Sequence, residues 1–216
     1  MTAPRVRRTP EEARRLILDA AEHLLAEGGV SAVHVRAVAA SVGMTDAGLG
    51  YHFGTRDGLL EALLHHGGTK VGSGLQQVVQ SCLVQPADLG GFVETLAAFY
   101  RQGYGELAIA LHAAGWRDPG SGMLNPVVEA LHALRPDKGA GIPVDDTRLA
   151  VAALHHAVAT ESAYGAVFRR SAGLTGPDAE DWQPQLRWWT INLARILDIE
   201  LPAPASGESS PARERG

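Results

Sequence analysis

The sequence predicts an all-α protein of about nine helices, and three observations lead to that prediction. Apolar residues recur at the three- and four-residue spacing of helices along most of the chain. No segment sustains the two-residue alternation of a half-buried strand, so almost no sheet is expected. With 216 residues, of which 45% are hydrophobic, the chain is long enough to bury a sizeable core.

The first helix has a clear start and a clear end. Thr9 is placed to cap it, Pro10 suits the first helical position, and Glu12 completes a capping box. Gly28 and Gly29 are expected to end it. Its apolar residues share one face: Ile17, Ala20, Ala21, Leu24 and Leu25.

Two short helices follow. The apolar pattern from Val35 to Val42 stops at Gly43, and Thr45 can cap a third helix that points Leu49 and Phe53 inward. Two helices of about eight residues joined by a glycine-containing turn, "VGMT", are typical of a helix-turn-helix. The outer face of the second of these two helices is then free to enter a major groove.

The segment "GLGYHFG" (48–54) could instead be a phosphate-binding loop. A dinucleotide loop needs G-x-G-x-x-G after an apolar strand, and a Walker loop needs G-x-x-x-x-G-K-[ST]. Here the glycines are Gly48, Gly50 and Gly54, the preceding pattern is helical, and no lysine follows. The spacing therefore favours the back half of a helix.

The later helices are predicted as separate segments interrupted by glycine and proline. The pattern that begins after Thr55 is expected to stop at Gly67 and Gly68, and a new helix is expected to start near Gly72. The domain boundaries that follow are a basic arm (1–8), a helix-turn-helix domain (9–58), a larger helical domain (59–201) and a disordered tail (202–216). The arm, with Arg5, Arg7 and Arg8, either lies against DNA or is simply solvated.

Residues 9–64 resemble the N-terminal DNA-binding domain of the TetR family of bacterial transcription regulators. The stretches that carry the resemblance are "ILDAAEHLLAEGG", "VRAVAASVGMT" and "LGYHFGTRDGLLEALL". The resemblance implies a regulator, most simply a repressor, that binds a palindromic double-stranded operator as a homodimer and is released by a small-molecule effector. It also implies that the C-terminal domain binds the effector and dimerises through two long helices, residues 146–171 and 181–199.

The resemblance further implies which residues contact DNA. The turn that opens the third helix should face base edges and phosphates, the aromatic–histidine pair should lie against the DNA backbone, and Arg36 is the best candidate for a base contact. The full expected set is Arg36, Thr45, Asp46, Ala47, Gly48, Gly50, Tyr51, His52 and Arg56. Three positions depart from the family pattern: Gly50 replaces a tyrosine, His34 replaces a capping threonine, and Asp46 stands where a basic residue is common.

The candidates for the ligand cavity are aromatic or polar residues of the C-terminal domain: Phe99, Tyr100, Tyr104, His112, Trp116, Arg117, Met123, His155 and Tyr164. For each of them ordinary core packing is the alternative. The adjacent pairs His65–His66 and His155–His156 lack a third ligand at suitable spacing, so neither a metal nor a cofactor is expected.

Composition bears on the remaining classes of function. The net charge of −5 argues against a nonspecific nucleic-acid coat, and a single cysteine excludes an internal disulfide. No apolar run suggests a membrane span or a signal peptide, so a cytoplasmic protein is expected. No recognisable catalytic arrangement appears, which argues against an enzyme. An activator, a small-molecule carrier with a vestigial helix-turn-helix, and an architectural DNA-binding protein without an effector stay open.

Overall fold

The computed structural model describes residues 9–82, 88–117, 120, 122, 124–136 and 141–201, apart from the side chains of residues 78–82. The predicted basic arm, the predicted tail and Met123 lie outside this part of the chain. Within it, the backbone forms helices and turns and no strand, which confirms the all-α prediction.

Eleven α-helices occur in the described residues, and two of the connections between them are short π-helical turns, π1 and π2. Their bounds are α1 Pro10–Ala32, α2 Val35–Ser41, α3 Asp46–Phe53, α4 Arg56–Cys82, α5 Leu89–Phe99, π1 Tyr100–Tyr104, α6 Gly105–Ala113, α7 Asn125–Ala133, α8 Val144–Ala159, π2 Glu161–Gly165, α9 Ala166–Ser171, α10 Pro177–Glu180 and α11 Gln183–Leu197. None of these helices is both long enough and apolar enough to cross a bilayer.

The predicted start of α1 is present. The Thr9 amide donates to Glu12 Oε2 over 2.8 Å, and the Glu12 amide donates to Thr9 Oγ1 over 3.2 Å. The predicted end is displaced: Gly29 has a positive φ of 66°, which kinks the helix, and one further turn carries it to Ala32. The glycine pair therefore interrupts α1 and does not end it.

The predicted break in the middle of α4 is wrong. Helix α4 runs without interruption from Arg56 to Cys82, through all the glycines that were expected to divide it. Gly67 is needed there for another reason: a Cβ atom at this position would lie only 2.2 Å from ring carbon Cε1 of Tyr104. The glycine lets the π1 turn pack directly on the α4 backbone.

Helix α4 joins the two halves of the molecule. It packs against α1 and α3 at its start and against α5, α6 and α7 further along, while α11 covers α5 and α8. The boundary proposed between residues 58 and 59 falls in the first turn of α4, so both regions share this helix. Movement of α4 can therefore reach the helix-turn-helix without crossing a flexible linker.

A buried arginine holds the last helices together. The Arg169 guanidinium forms an ion pair with Glu161 over 2.8 Å, and it donates to the Gln185 side chain over 2.9 Å and to the Ala179 carbonyl over 2.7 Å. These contacts tie π2, α10 and α11 to α9. They fix the surface that α9 and α11 present to solvent.

Candidate DNA-binding surface and ligand cavity

The turn that opens α3 is capped from the preceding residue. Thr45 Oγ1 accepts a hydrogen bond from the Gly48 amide over 3.1 Å, and Gly54, with φ of 70°, ends the helix. Residues 48–53 are thus helical, and the segment "GLGYHFG" is not a loop between a strand and a helix. The first turn of α3 leaves amide groups at its N-terminus that suit phosphate oxygens.

Helix α3 is held from below by its apolar face and by Arg14 of α1. Leu49 and Phe53 are buried, as the sequence predicts. Arg14 donates to the His52 carbonyl over 2.7 Å, and its guanidinium carbon lies 4.3 Å from the centre of the Phe53 ring. The sequence analysis missed Arg14. Its position three residues before the buried Ile17 was the available signal, because residues at that spacing share a helix face.

The outer face of α2 and α3 carries most of the expected DNA contacts. Arg36, Thr45, Asp46, Ala47 and Tyr51 are exposed, and 83% of the Tyr51 side chain surface is open to solvent. Gly48, Gly50 and His52 are half-buried, and the rings of Tyr51 and His52 meet edge to face with centroids 5.3 Å apart. His34, at the cap position of α2, makes no capping bond; its Nδ1 contacts the Ala32 carbonyl instead.

Arg56 has a different environment from Arg36. Its Nε donates to the Val33 carbonyl over 2.9 Å, and one terminal nitrogen donates to the Val30 carbonyl over 2.8 Å. The side chain is half-buried and braces the end of α1. These two bonds use two of the five N–H groups of the guanidinium, so Arg56 has a structural contact and its phosphate contact stays a prediction.

A cavity of about 810 Å³ lies between α4 and the helices that follow it. Five of the predicted candidates line it: Phe99, Tyr100, His112, Trp116 and His155. The Tyr100 hydroxyl is hydrogen-bonded to Nε2 of His155, and the Trp116 ring meets the His65 ring at a centroid distance of 6.1 Å. A volume of this size suits a drug-sized molecule.

The other candidates lie elsewhere. Tyr104 is fully buried in the core. Arg117 folds back on its own helix end, donating to the carbonyls of His112 and Trp116 over 2.9 and 2.8 Å. Tyr164 is exposed on the outer surface, where it stacks on Phe168. Met123 is outside the described residues.

The residues of α4 that line the cavity were not among those predicted from the sequence. Helix α4 contributes a stripe of polar residues, namely His65, Thr69, Ser73 and Gln76. Their spacing of three and four residues is that of one helix face, and this pattern was present in the sequence. Because the same residues suit a solvated face equally well, only the packing of α6 and α7 opposite them indicates a cavity.

Comparison with known proteins supports the assignment of α2 and α3 as a DNA-binding unit. Residues 17–63, which include α2, α3 and the start of α4, match the family model described as bacterial regulatory proteins, tetR family. The chain carries the DNA-binding domain of the TetR family. It is thus a DNA-binding transcriptional regulator, whose helix-turn-helix is α2 and α3. No curated protein matches the chain significantly.

Solved structures resemble most of the chain. The multidrug binding protein EbrR, in its complex with ethidium, is 25% identical, with a TM-score of 0.51 over 86% of this chain and 99% of that one. A protein of unknown function from Rhodococcus sp. RHA1 is 21% identical, with a TM-score of 0.51 over 89% and 100% of the two chains. A TetR family member from Streptomyces coelicolor A3 is 25% identical, with a TM-score of 0.44 over 86% and 98%.

The cavity wall touches Tyr104, which contacts the DNA-binding half of the chain. Phe99 lines the cavity and stacks on Tyr104 with ring centroids 4.3 Å apart. The Tyr104 hydroxyl donates to Glu22 Oε1 of α1 over 2.7 Å. The π1 turn also presses on α1 through Gly103, where a Cβ atom would come within 3.1 Å of Leu25 Cγ.

Glu22 belongs to a cluster of charges between α1 and α4. Lys70 forms ion pairs with Asp19, over 3.1 Å, and with Glu22, and His66 Nε2 lies 3.1 Å from Asp19 Oδ1. Burial alone would raise the pKa of Asp19, but the hydrogen bonds from Lys70 and His66 outweigh it and lower the pKa. For Lys70 burial acts to lower the pKa, and the bonds to Glu22 and Asp19 raise it. Asp19 and Lys70 therefore stay charged near neutral pH.

Proposed function

We propose that this TetR regulator is a repressor that binds a palindromic operator as a homodimer and leaves the DNA when a small molecule enters the α4 cavity. The observation that carries the proposal is the contact chain from Phe99, in the cavity wall, through Tyr104 to Glu22 of α1. In this proposal residues 9–58 read DNA, residues 59–201 bind the effector and dimerise, and the protein acts in the cytoplasm, where its operator lies. It acts by binding and not as an enzyme.

The proposed DNA contacts rely on a small and weakly basic surface. Arg36 would read a guanine edge, because an arginine can bond guanine O6 and N7 at once. Tyr51 would lie against the sugar–phosphate backbone beside His52. The exposed Asp46 either repels phosphate or accepts a hydrogen bond from cytosine N4. A surface with so few basic groups would depend on close approach and DNA shape for part of its specificity.

The proposed dimer surface is formed by α9 and α11. Phe168 and Trp188 are 61% and 55% exposed, and Ile191 is 42% exposed, which is unusual for such large apolar side chains. By contrast Leu154 and Val158 of α8 and Leu193 of α11, which also lie in the two helical segments predicted to dimerise, are buried within their own chain. A twofold pairing of this surface would place two α3 helices on successive major grooves.

Release of the operator requires an effector that prefers one conformation over another. A molecule in the cavity touches α4 and the π1 turn, and both pack on α1. We expect the effector to favour an arrangement in which the two α3 helices no longer match the spacing of the grooves. Thermodynamic linkage then requires that the operator weakens effector binding by the same factor.

An electrophoretic mobility shift with DNA from upstream of the protein's own coding sequence tests this function. We expect the wild-type protein to bind, and both Arg36→Ala and Tyr51→Ala to bind more weakly with unchanged melting temperatures. Arg148→Ala in α8 is the matched control, because it removes the same charge from an exposed site outside α2, α3 and the proposed dimer surface. A folded wild-type protein that binds no such fragment would count against the regulator proposed here.

The oligomeric state is tested separately. Trp188→Asp places a charge on the proposed dimer surface, and we expect sedimentation to show a monomer that binds the operator weakly. Leu174→Asp is the control, because Leu174 is also an exposed apolar residue but lies outside α9 and α11. A Trp188→Asp protein that stays dimeric would place the dimer surface elsewhere.

A further inference from the structure

The polar groups that line the cavity have one chemical property in common. They are hydroxyls, amides and imidazoles, and among the described lining residues there is no aspartate, glutamate, lysine or arginine. The hydroxyls come from Thr69, Ser73 and Tyr100, and the amides come from Gln76 and Asn125. Each of these groups can both donate and accept a hydrogen bond.

This composition disfavours a charged ligand. A ligand that enters this cavity gives up part of its contact with water, although much of the α4 wall is exposed, and an ion that is moved out of water needs an opposite charge beside it. The described residues of the wall include no aspartate or glutamate that could supply a negative charge. A cationic ligand would therefore exchange part of its hydration for polar groups without a compensating carboxylate.

The aromatic residues of the wall do not form a cage that could hold a cation. Phe99 and Tyr100 are both more than nine-tenths buried, and Phe99 uses one ring face to stack on Tyr104. The Trp116 ring meets His65 edge to face. The half-buried Trp116 ring leaves flat apolar surface against which another flat ring can stack, and an uncharged ligand makes that contact without giving up the hydration of an ion.

We propose that the effector is an uncharged, flat aromatic compound that carries carbonyl or hydroxyl oxygens, and that cationic aromatic compounds are discriminated against. The imidazoles of His65 and His112 and the amide of Asn125 hydrogen-bond to the oxygens, while Trp116 and Leu64 contact the rings. This inference rests on the proposed function, because it assigns the chemical class of the molecule that the α4 cavity takes.

Acridone and proflavine test the charge preference directly. Both are fluorescent three-ring compounds of similar size, but acridone is uncharged with a carbonyl oxygen and proflavine is a cation at neutral pH. In fluorescence titrations without DNA, we expect acridone to bind the wild-type protein about tenfold more tightly than proflavine. Equal affinities, tighter binding of proflavine, or no binding of either compound overturns the proposal.

The chain offers a matched pair of variants for the same experiment. Gln76→Glu places a carboxylate in the cavity wall, and we expect it to strengthen proflavine binding about three- to fivefold while leaving acridone little changed. Gln77→Glu adds the same charge at the next residue, which is exposed but does not line the cavity, and we expect no effect. If Gln76→Glu gains no affinity for proflavine, the charge of the wall does not set the selectivity and the proposal is wrong.

Asp118 lies outside the described residues and close in sequence to the lining residue Trp116, so Asp118→Asn is tested as well. If proflavine binds the wild-type protein as tightly as acridone and Asp118→Asn removes that binding, the protein accepts cations and the proposal is overturned. Operator binding is measured on the same preparations. A protein that binds the operator but neither compound retains the proposed DNA-binding role while the inference about the ligand fails.

Discussion

The Tyr104 hydroxyl lies 2.7 Å from Glu22 Oε1, and this hydrogen bond joins residues that are 82 positions apart in the sequence. Tyr104 belongs to the turn beside the cavity, and Glu22 belongs to the helix that supports α3 through Arg14. Both partners are largely shielded from water, so the bond depends little on solvent. It is one of the polar contacts, together with those of Lys70 and His66, by which a change in the cavity wall can reach α1 and the DNA-binding helices.

Replacing Tyr104 by phenylalanine should lower the stability of the protein slightly and should make release of the operator by a ligand less efficient. The variant keeps the ring that stacks on Phe99 and loses only the bond to Glu22, which retains Lys70 as a partner. We expect the free energy of unfolding to fall by about 1 kcal/mol and operator affinity without ligand to change little. Release by acridone, measured by mobility shift, should need a higher concentration than in the wild-type protein.

Tyr164→Phe is the control for this prediction, because it removes a hydroxyl from an exposed residue on the outer surface. It should match the wild-type protein in stability and in release. Release of Tyr104→Phe at the wild-type concentration of acridone would mean that the cavity is coupled to DNA binding by another route.

Tyr104 also predicts how stability depends on alkaline pH. Burial, together with the neighbouring Glu22, raises the pKa of Tyr104 above its ordinary value of 10.0. The folded protein therefore keeps a proton that the unfolded chain loses near pH 10, and the associated stability is complete below that pH and is lost above it. The raised pKa of Lys70 acts in the same direction.

Urea unfolding on both sides of pH 10 measures this effect. Wild-type stability should fall with a slope of up to about 1.4 kcal/mol per pH unit for each such proton, and Tyr104→Phe should fall less steeply. Tyr164→Phe should follow the wild-type curve. If stability falls equally steeply with pH in the wild type and in Tyr104→Phe, the Tyr104 hydroxyl has the same pKa in the folded and unfolded protein, which contradicts the prediction.

Two glycines of α4 should respond in opposite ways to the same substitution. Gly67→Ala places a methyl group 2.2 Å from the Tyr104 ring, and we expect a loss of about 1–3 kcal/mol in the free energy of unfolding. Gly74→Ala meets no described atom within 4 Å, so it should gain up to about 1 kcal/mol from helix propensity. Thermal melts of the two variants decide this, and a stable Gly67→Ala protein would contradict the close packing of π1 on α4.

These glycines also explain which parts of the fold the sequence could predict. Local signals were sufficient for the capping box at Thr9, the cap at Thr45 and the end of α3 at Gly54, because each depends on residues a few positions apart. The break expected at Gly67 was wrong because a glycine that ends a helix and one that admits a distant ring are identical in sequence. Only the position of Tyr104 distinguishes them.

The candidate sites, too, could be predicted only where the residues that form them lie close together in the sequence. The exposed face of α3 could be predicted from the pattern of Leu49 and Phe53, since one buried face defines the opposite one. The cavity could be predicted only in part, because its wall comes from helices far apart in the chain. Tyr104 and His155 are both polar aromatic residues on helical segments, yet one is core and the other lines the cavity.

Replacing Arg56 by alanine should lower the free energy of unfolding more than replacing Arg36 by alanine. Arg36 is exposed and has no described side-chain partner, so Arg36→Ala should change the free energy of unfolding by less than about 0.5 kcal/mol while weakening operator binding. Arg56→Ala leaves the Val30 and Val33 carbonyls without their donor, and we expect a loss of about 2 kcal/mol. Urea unfolding and mobility shifts on both variants test this; equal losses of stability would contradict it.

Gly50→Tyr should strengthen operator binding. Gly50 stands where the TetR pattern commonly has a tyrosine, and no described atom lies within 4 Å of the position a Cβ atom would take. A tyrosine there can add a contact to the DNA backbone beside Tyr51, and it should also stabilise α3 by roughly half a kcal/mol relative to glycine. Gly50→Ala is the control, because it provides a similar or larger gain in helix propensity without the aromatic ring. If both variants melt at higher temperature but Gly50→Tyr binds the operator more weakly, then the glycine is present to let the DNA approach the helix backbone.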